Sequence, residues 1–131
     1  MNKVNKNFLK NSHYIVDLKL CSIRLINNCK FPWIILIPNR KKITDITELN
    51  SKDQILLIKE IVFCSKIMKS KFRTSKLNIE KIGNIVSQLH IHIIARSKND
   101  STWPLSVWVT KDKPYPKKTL VAAINKLKKA F

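Results

Sequence analysis

The chain has 131 residues, 44% of them apolar, and a formal net charge of +18. That composition supplies one sizeable core and too little length for two, so a single domain over 1–131 is expected. No apolar run reaches the roughly eighteen residues of a membrane span, and the first ten residues are polar and basic without the apolar stretch of a secretory signal.

In chain order, residues 1–12 are expected to be loosely ordered. His13 to Asp17 and Leu20 to Ile26 alternate well enough for two strands joined tightly at Asp17-Leu18-Lys19. Asn27 to Pro32 is a polar turn. Trp33 to Ile37 is a continuous apolar run stopped by Pro38, as in a buried strand. After a short helical connection over Thr44 to Asn50, Ile55, Leu56, Ile58, Ile61, Val62, Ile67 and Met68 recur at helical spacing, predicting a core helix from about Ser51 to Lys71. Lys76 to Lys81 and Ser87 to Arg96 read as strands around Gly83-Asn84. Gly83 is the only glycine, which suggests a backbone angle that other residues resist. Ser97 to Pro116 is irregular, and Pro116 to Ala130 is an amphipathic basic helix within a C-terminal extension over 111–131. The expected fold is α+β: an antiparallel sheet of about five strands, one long helix and a C-terminal helix.

Cys21, Cys29 and Cys64 are odd in number, lie in or beside apolar stretches and lack zinc-like pairing, so free buried thiols in a reducing cytoplasm are expected. The charge comes from 22 lysines against 4 arginines, with 19 isoleucines and 12 asparagines, the profile of a genome biased to A and T. Clustered cations would drive phosphate binding, but these lysines are diffuse apart from the tail from Lys111 to Lys129, and no aromatic ladder accompanies them. Nucleic-acid binding is therefore expected to be weak and non-specific, while the positive surface still attracts a polyanionic nucleotide.

The segment Gln88-Leu89-His90-Ile91-His92-Ile93-Ile94 carries two of the three histidines. Alternation along a strand puts Gln88, His90 and His92 on one face and Leu89, Ile91 and Ile93 on the other. Three readings are open: a solvated polar strand face, a metal site, or a phosphate site with a nucleophilic histidine. A metal centre usually recruits a third or fourth ligand, and Glu80 and Asp100, the nearest acids in sequence, lie at no ligand-like spacing.

Asn78, then Gly83-Asn84, then Gln88-Leu89-His90-Ile91-His92, together with the upstream Pro32-Trp33-Ile34-Ile35-Leu36-Ile37-Pro38, resemble the histidine triad (HIT) family of nucleotide hydrolases and transferases. The likeness runs from about residue 14 to 108. Its Gln-Leu-His-x-His pattern, with Trp103-Pro104 downstream, is similar to that of the family's bacterial, diadenosine tetraphosphate hydrolase-like branch. Gln88 stands where the family's first triad histidine is usual, and Trp33 replaces a further histidine. The resemblance implies a nucleotide substrate and no metal or cofactor. It implies that His90 is the nucleophile, with His92 and Gln88 on phosphate oxygens and Asn78, Gly83 and Asn84 around the phosphate. Asn27 or Asn28 would hold ribose hydroxyls, Leu25, Ile26 and Ile37 the base, Arg96 and Lys76 the polyphosphate, and Trp103 would close the pocket. It also implies a homodimer through a strand edge and the long helix. The alternative is a nucleotide- or nucleic-acid-binding protein on the same scaffold that has lost turnover.

Overall fold

The computed structural model describes residues 4–131. Five strands, β1 (Ser12–Asp17), β2 (Cys21–Ile26), β3 (Trp33–Pro38), β4 (Lys76–Glu80) and β5 (Ile91–Arg96), form one sheet in the order β1-β2-β3-β5-β4. Every neighbouring pair is antiparallel. Helices α1 (Lys6–Asn11), α2 (Ser51–Lys71) and α3 (Lys117–Ala130) accompany the sheet. The α+β architecture is the one that the sequence predicts. No helix is long and apolar enough to cross a membrane among the described residues.

Local chemistry accounts for the elements. The Leu18 amide donates to the Cys21 carbonyl at 2.8 Å, closing the β1–β2 turn. All six residues of β3 are buried, as expected for an Ile-rich strand covered on both faces. The Asn50 side chain accepts from the Asp53 amide at 2.8 Å, capping α2. Lys69 and Lys71 occupy the last turn of that helix, where cations complement the helix dipole.

The sheet divides its side chains sharply. Ile23, Leu25, Ile34, Leu36, Ile91, Ile93 and Ala95 pack with Leu57, Cys64 and Met68 of α2 and Leu127 of α3 in the main core. The C-terminal segment is thus built into the core: Leu127 is fully buried. On the opposite face, strand register lines up Arg24, Ile35, His92 and Glu80 across β2, β3, β5 and β4.

Three expectations need correction. The first concerns residues 1–12, expected to be loose: Met1 to Lys3 lie outside the described residues, while Lys6–Asn11 is helical and Ser12 opens β1. Asn5 caps α1 through its side chain, and Phe8 is buried against Ile35 and Ile37. Arg24 donates to the Ser12 hydroxyl and carbonyl at 2.7 and 3.0 Å, while that hydroxyl donates to the Phe8 carbonyl. This chain of bonds fastens α1 over the sheet. The second correction is the strand expected over Ser87 to Arg96, which begins only at Ile91. Its ladder with β3 ends at Leu36 opposite Ile91, and the Leu89 amide donates instead to the Ile43 carbonyl at 2.9 Å. The third is Cys29, expected to be buried, which is only partly so, unlike Cys21 and Cys64; all three are free thiols.

Buried Glu60 on α2 clips the helix to the sheet. Its two carboxylate oxygens accept the Leu20 and Cys21 amides, each at 2.8 Å. Glu60→Ala strands both donors in the interior, so a loss of about 3 kcal/mol is expected, within the range for hydrogen bonds to a charged group. The measurement is the urea unfolding midpoint, and an unchanged midpoint would refute the assignment.

Candidate active site

His90 and His92 meet on the face opposite the main core, with ring centroids 4.7 Å apart at 71°. Both are nearly closed off, at 7% and 4% exposed. Each ring has one nitrogen already engaged, and the partners differ. His90 Nδ1 lies 2.7 Å from the Gln88 carbonyl oxygen. A carbonyl can only accept, so the proton is assigned to Nδ1 and the Nε2 lone pair is left available. His92 Nδ1 accepts from the Trp33 indole N–H at 3.0 Å, which assigns the proton of the neutral ring to Nε2. One imidazole therefore offers a lone pair where the other offers an N–H.

The same surroundings keep both rings neutral. Burial lowers the His90 pKa, the Lys81 charge lowers it further, and the Gln88 carbonyl opposes the shift. Burial, and then the neighbouring His90, push His92 down to about 3. Desolvation dominates because the charged form of each ring has lost its water.

Aromatic groups enclose the pair. Phe8 of α1 meets His90 edge-on at 4.6 Å. Trp108 lies 5.2 Å from His92 and 5.1 Å from Trp33, nearly perpendicular to each. Its indole N–H donates to Glu80 Oε1 at 2.7 Å. Glu80 itself stands opposite His92 in the β4–β5 ladder.

The remaining residues singled out in the sequence fall into different places. The Gln88 side-chain oxygen accepts the Asn5 amide at 2.8 Å, so it ties the entry of α1 to the histidine segment. Gln88 also lines an open groove of about 370 Å³ with Asn5, Lys41, Lys42 and Thr44. Asn78 shares the histidine face, but its oxygen accepts from Arg96 at 2.7 Å. Gly83 has φ +71°, and a Cβ there would meet only the Val86 oxygen at 3.6 Å, so the backbone angle and not lack of space favours glycine. Asn84 is exposed in the same loop.

Asn27 and Asn28 are engaged elsewhere. The Asn27 side-chain oxygen accepts the Tyr115 amide at 2.9 Å. Asn28 accepts the Lys30 amide and donates to Asp112. Together they fasten the segment that leads into α3. Leu25 belongs to the main core, whereas Ile26 and Ile37 pack beside Phe8 on the histidine side.

Arg96, expected near phosphate, is 2% exposed, and each of its three side-chain nitrogens is engaged within the protein. It forms a two-pronged pair with Asp100 at 2.7 and 3.0 Å and donates to Thr102 and the Leu105 carbonyl. Burial alone would raise the Asp100 carboxyl. The Arg96 guanidinium and the amides of Ser97, Thr102 and Trp103 overrule it and hold the pKa at about 2. Trp103 stacks on Arg96, 5.6 Å from its guanidinium carbon, because Asp100 also captures the Trp103 amide. The tryptophan beside the histidines is Trp108. Lys76 is exposed at the start of β4; the cation whose charge acts on His90 is Lys81, which pairs with Asp45 at 3.4 Å.

Sequence reasoning missed Phe8, Lys81, Glu80, Trp108 and the donor role of Trp33. Only Trp33 left a signal: pairing the two Ile-rich strands antiparallel brings it near His92. Among the described residues, no group of three His, Cys, Asp or Glu side chains gathers as for a metal ion.

Comparison with known proteins places this arrangement. Residues 7–99 match the HIT domain family. The chain is similar to a histidine triad protein from Bradyrhizobium japonicum, at 32% identity over 98% of this chain and 96% of that one, with a TM-score of 0.93. It is similar to a histidine triad protein from Marinobacter aquaeolei, at 31% identity over 98% and 94% of the two chains, with a TM-score of 0.94. Diadenosine triphosphate hydrolase of Plasmodium falciparum shares the fold at 20% identity over 98% and 79%, with a TM-score of 0.64. No curated protein matches the chain.

Proposed function

The chain belongs to the HIT domain family, and from that premise we propose that it is a nucleotide hydrolase or nucleotidyl transferase that works through a nucleotidyl-histidine intermediate. The observation that carries this reading is the complementary protonation of the two imidazoles, fixed by Gln88 and Trp33. His90 Nε2 attacks the α-phosphorus of a dinucleoside polyphosphate or nucleoside phosphoramidate, and water or an acceptor then resolves the N–P bond. His92 Nε2–H donates to a non-bridging phosphate oxygen as charge builds there. Lys81 adds positive charge near the nucleophile. The base lies against the apolar side chains beside Phe8, and the substrate passes Phe8 and Trp108 to reach the pair. Asn78, Gly83 and Asn84 border the phosphate.

A homodimer through the β4 edge and α2 is part of the same reading. Ile55, Ile58 and Val62 on α2 and Ile79 on β4 are half or more exposed, or close to it, an apolar surface of the kind that protein interfaces cover. Sedimentation as a monomer at micromolar concentration would argue against it.

The direct test is incubation with dinucleoside polyphosphates and nucleoside phosphoramidates of adenosine and guanosine, with product release as the readout. Mononucleotide release from at least one is expected. Tight nucleotide binding with no turnover of any would instead favour a binding protein on this scaffold.

A further inference from the structure

The two ends of the histidine pair differ in charge. Along that face the rings run in the order Phe8, His90, His92, Trp108, with centroids 4.6, 4.7 and 5.2 Å apart. Lys81 puts positive charge at the His90 end. At the other end the Glu80 carboxylate accepts the Trp108 indole N–H at 2.7 Å. We propose that Trp108 and Glu80 form a cation subsite, which takes an ammonium group carried by the part of the substrate beyond the scissile phosphate. The inference rests on the nucleotidyl-histidine reading, which lays the nucleoside beside Phe8 and so directs the leaving group past His92 toward Trp108.

A carboxylate in that place opposes a phosphate-binding site, since like charges repel. Glu80 stands directly opposite His92 in the β4–β5 register, and residues so paired share one face of the sheet. Asp45 is paired with Lys81 and Asp100 with Arg96. Glu80 is held instead by a neutral donor, which fixes its position and leaves its charge in place. Trp108 is fixed as well. Its amide donates to Ser106 Oγ at 3.2 Å, and its ring stands nearly perpendicular to buried Trp33. The residue is still half-exposed, so part of the indole is open to a ligand.

Such a pair suits a cation better than any other ligand chemistry. An indole N–H donates in the plane of its ring, which puts the carboxylate at the rim. An ammonium over the indole face, within about 6 Å of its centre, meets the negative side of the ring quadrupole. Near the nitrogen edge it also meets the carboxylate. Phosphate is repelled by both groups, and a neutral group draws on neither charge. The substrate so selected has its negative charge by His90 and Lys81 and its positive charge by Trp108.

The test compares two esters of adenosine diphosphate, one with a 2-aminoethyl group on the second phosphate and one with an ethyl group. Calorimetry on His90→Asn separates binding from turnover. The aminoethyl ester should bind about tenfold tighter, the size of a cation–π contact at a desolvated site. The sign is diagnostic, because the ethyl ester is the more negative ligand and attraction to a net charge of +18 would by itself favour it. In the same background Glu80→Gln keeps an oxygen for the Trp108 N–H but removes the charge, and Trp108→Leu removes the ring. Either should bring the affinity ratio to one or below. In the native protein the preference should recur in kcat/KM. There His90 Nε2 bonds to the α-phosphorus, the P–O bond to the second phosphate breaks with its pair kept by that phosphate, and water then displaces Nε2 and gives a proton to solvent. Equal affinity for the two esters, tighter binding of the ethyl ester, or a preference that survives Glu80→Gln would overturn the inference, and turnover of both esters would then leave the nucleotidyl-histidine reading standing. Preferential binding of the aminoethyl ester with turnover of neither would overturn that reading and support the cation subsite.

Discussion

His90→Asn should retain the fold and bind nucleotide yet lose essentially all turnover. The nucleophile's lone pair sits on Nε2 because the Gln88 carbonyl holds the proton on Nδ1, and an asparagine amide nitrogen has no comparable lone pair to form a bond to phosphorus. A radiolabelled nucleotide should leave an acid-labile, base-stable label on the native protein and none on the variant. The native activity should also persist as pH falls somewhat below 6.5, since burial lowers the His90 pKa from that ordinary value and keeps the ring unprotonated. Equal turnover by native protein and His90→Asn would end the assignment of His90 as nucleophile.

His92→Asn should slow turnover by about 10²–10³, the loss seen when one donor to a developing oxyanion is removed. The loss should be smaller than that of His90→Asn, because an amide can still offer a hydrogen bond to phosphate but cannot replace a nucleophile. It should appear in kcat more than in KM, as the contact strengthens when charge gathers on the phosphate oxygens. Steady-state kinetics of the two variants side by side tests the ranking. A His92 variant as inactive as the His90 variant would assign His92 a covalent or proton-transfer role, contrary to an imidazole whose Nδ1 is held by Trp33.

Much of the architecture was legible because it is periodic. The helical recurrence of apolar residues from Ile55 to Met68 marks α2, whose ends at Ser51 and Lys71 coincide with the predicted ones. The stop at Pro38 ends β3. Alternation along the last strand separates Ile91 and Ile93, in the main core, from His92 on the other face. The helix over residues 6–11 was missed because six residues carry too little pattern, and its order comes from Phe8 burial and the Arg24–Ser12 bonds made by residues distant in sequence.

The site divides along the same line. By itself the sequence determined that two imidazoles lie close together beside an apolar strand, and its resemblance to a known family identified the scaffold, because both rest on short-range spacing that a strand converts directly into geometry. It also identified Gly83 as the residue suited to a left-handed turn, since that preference is local. Only the tertiary structure decided which nitrogen of each imidazole carries the proton, that Trp108 and not Trp103 stands beside the pair, and that Arg96, Asn27 and Asn28 are spent on holding loops. Those outcomes depend on hydrogen bonds between residues brought together by strand register and by irregular segments, and irregular segments carry no period from which such contacts can be read.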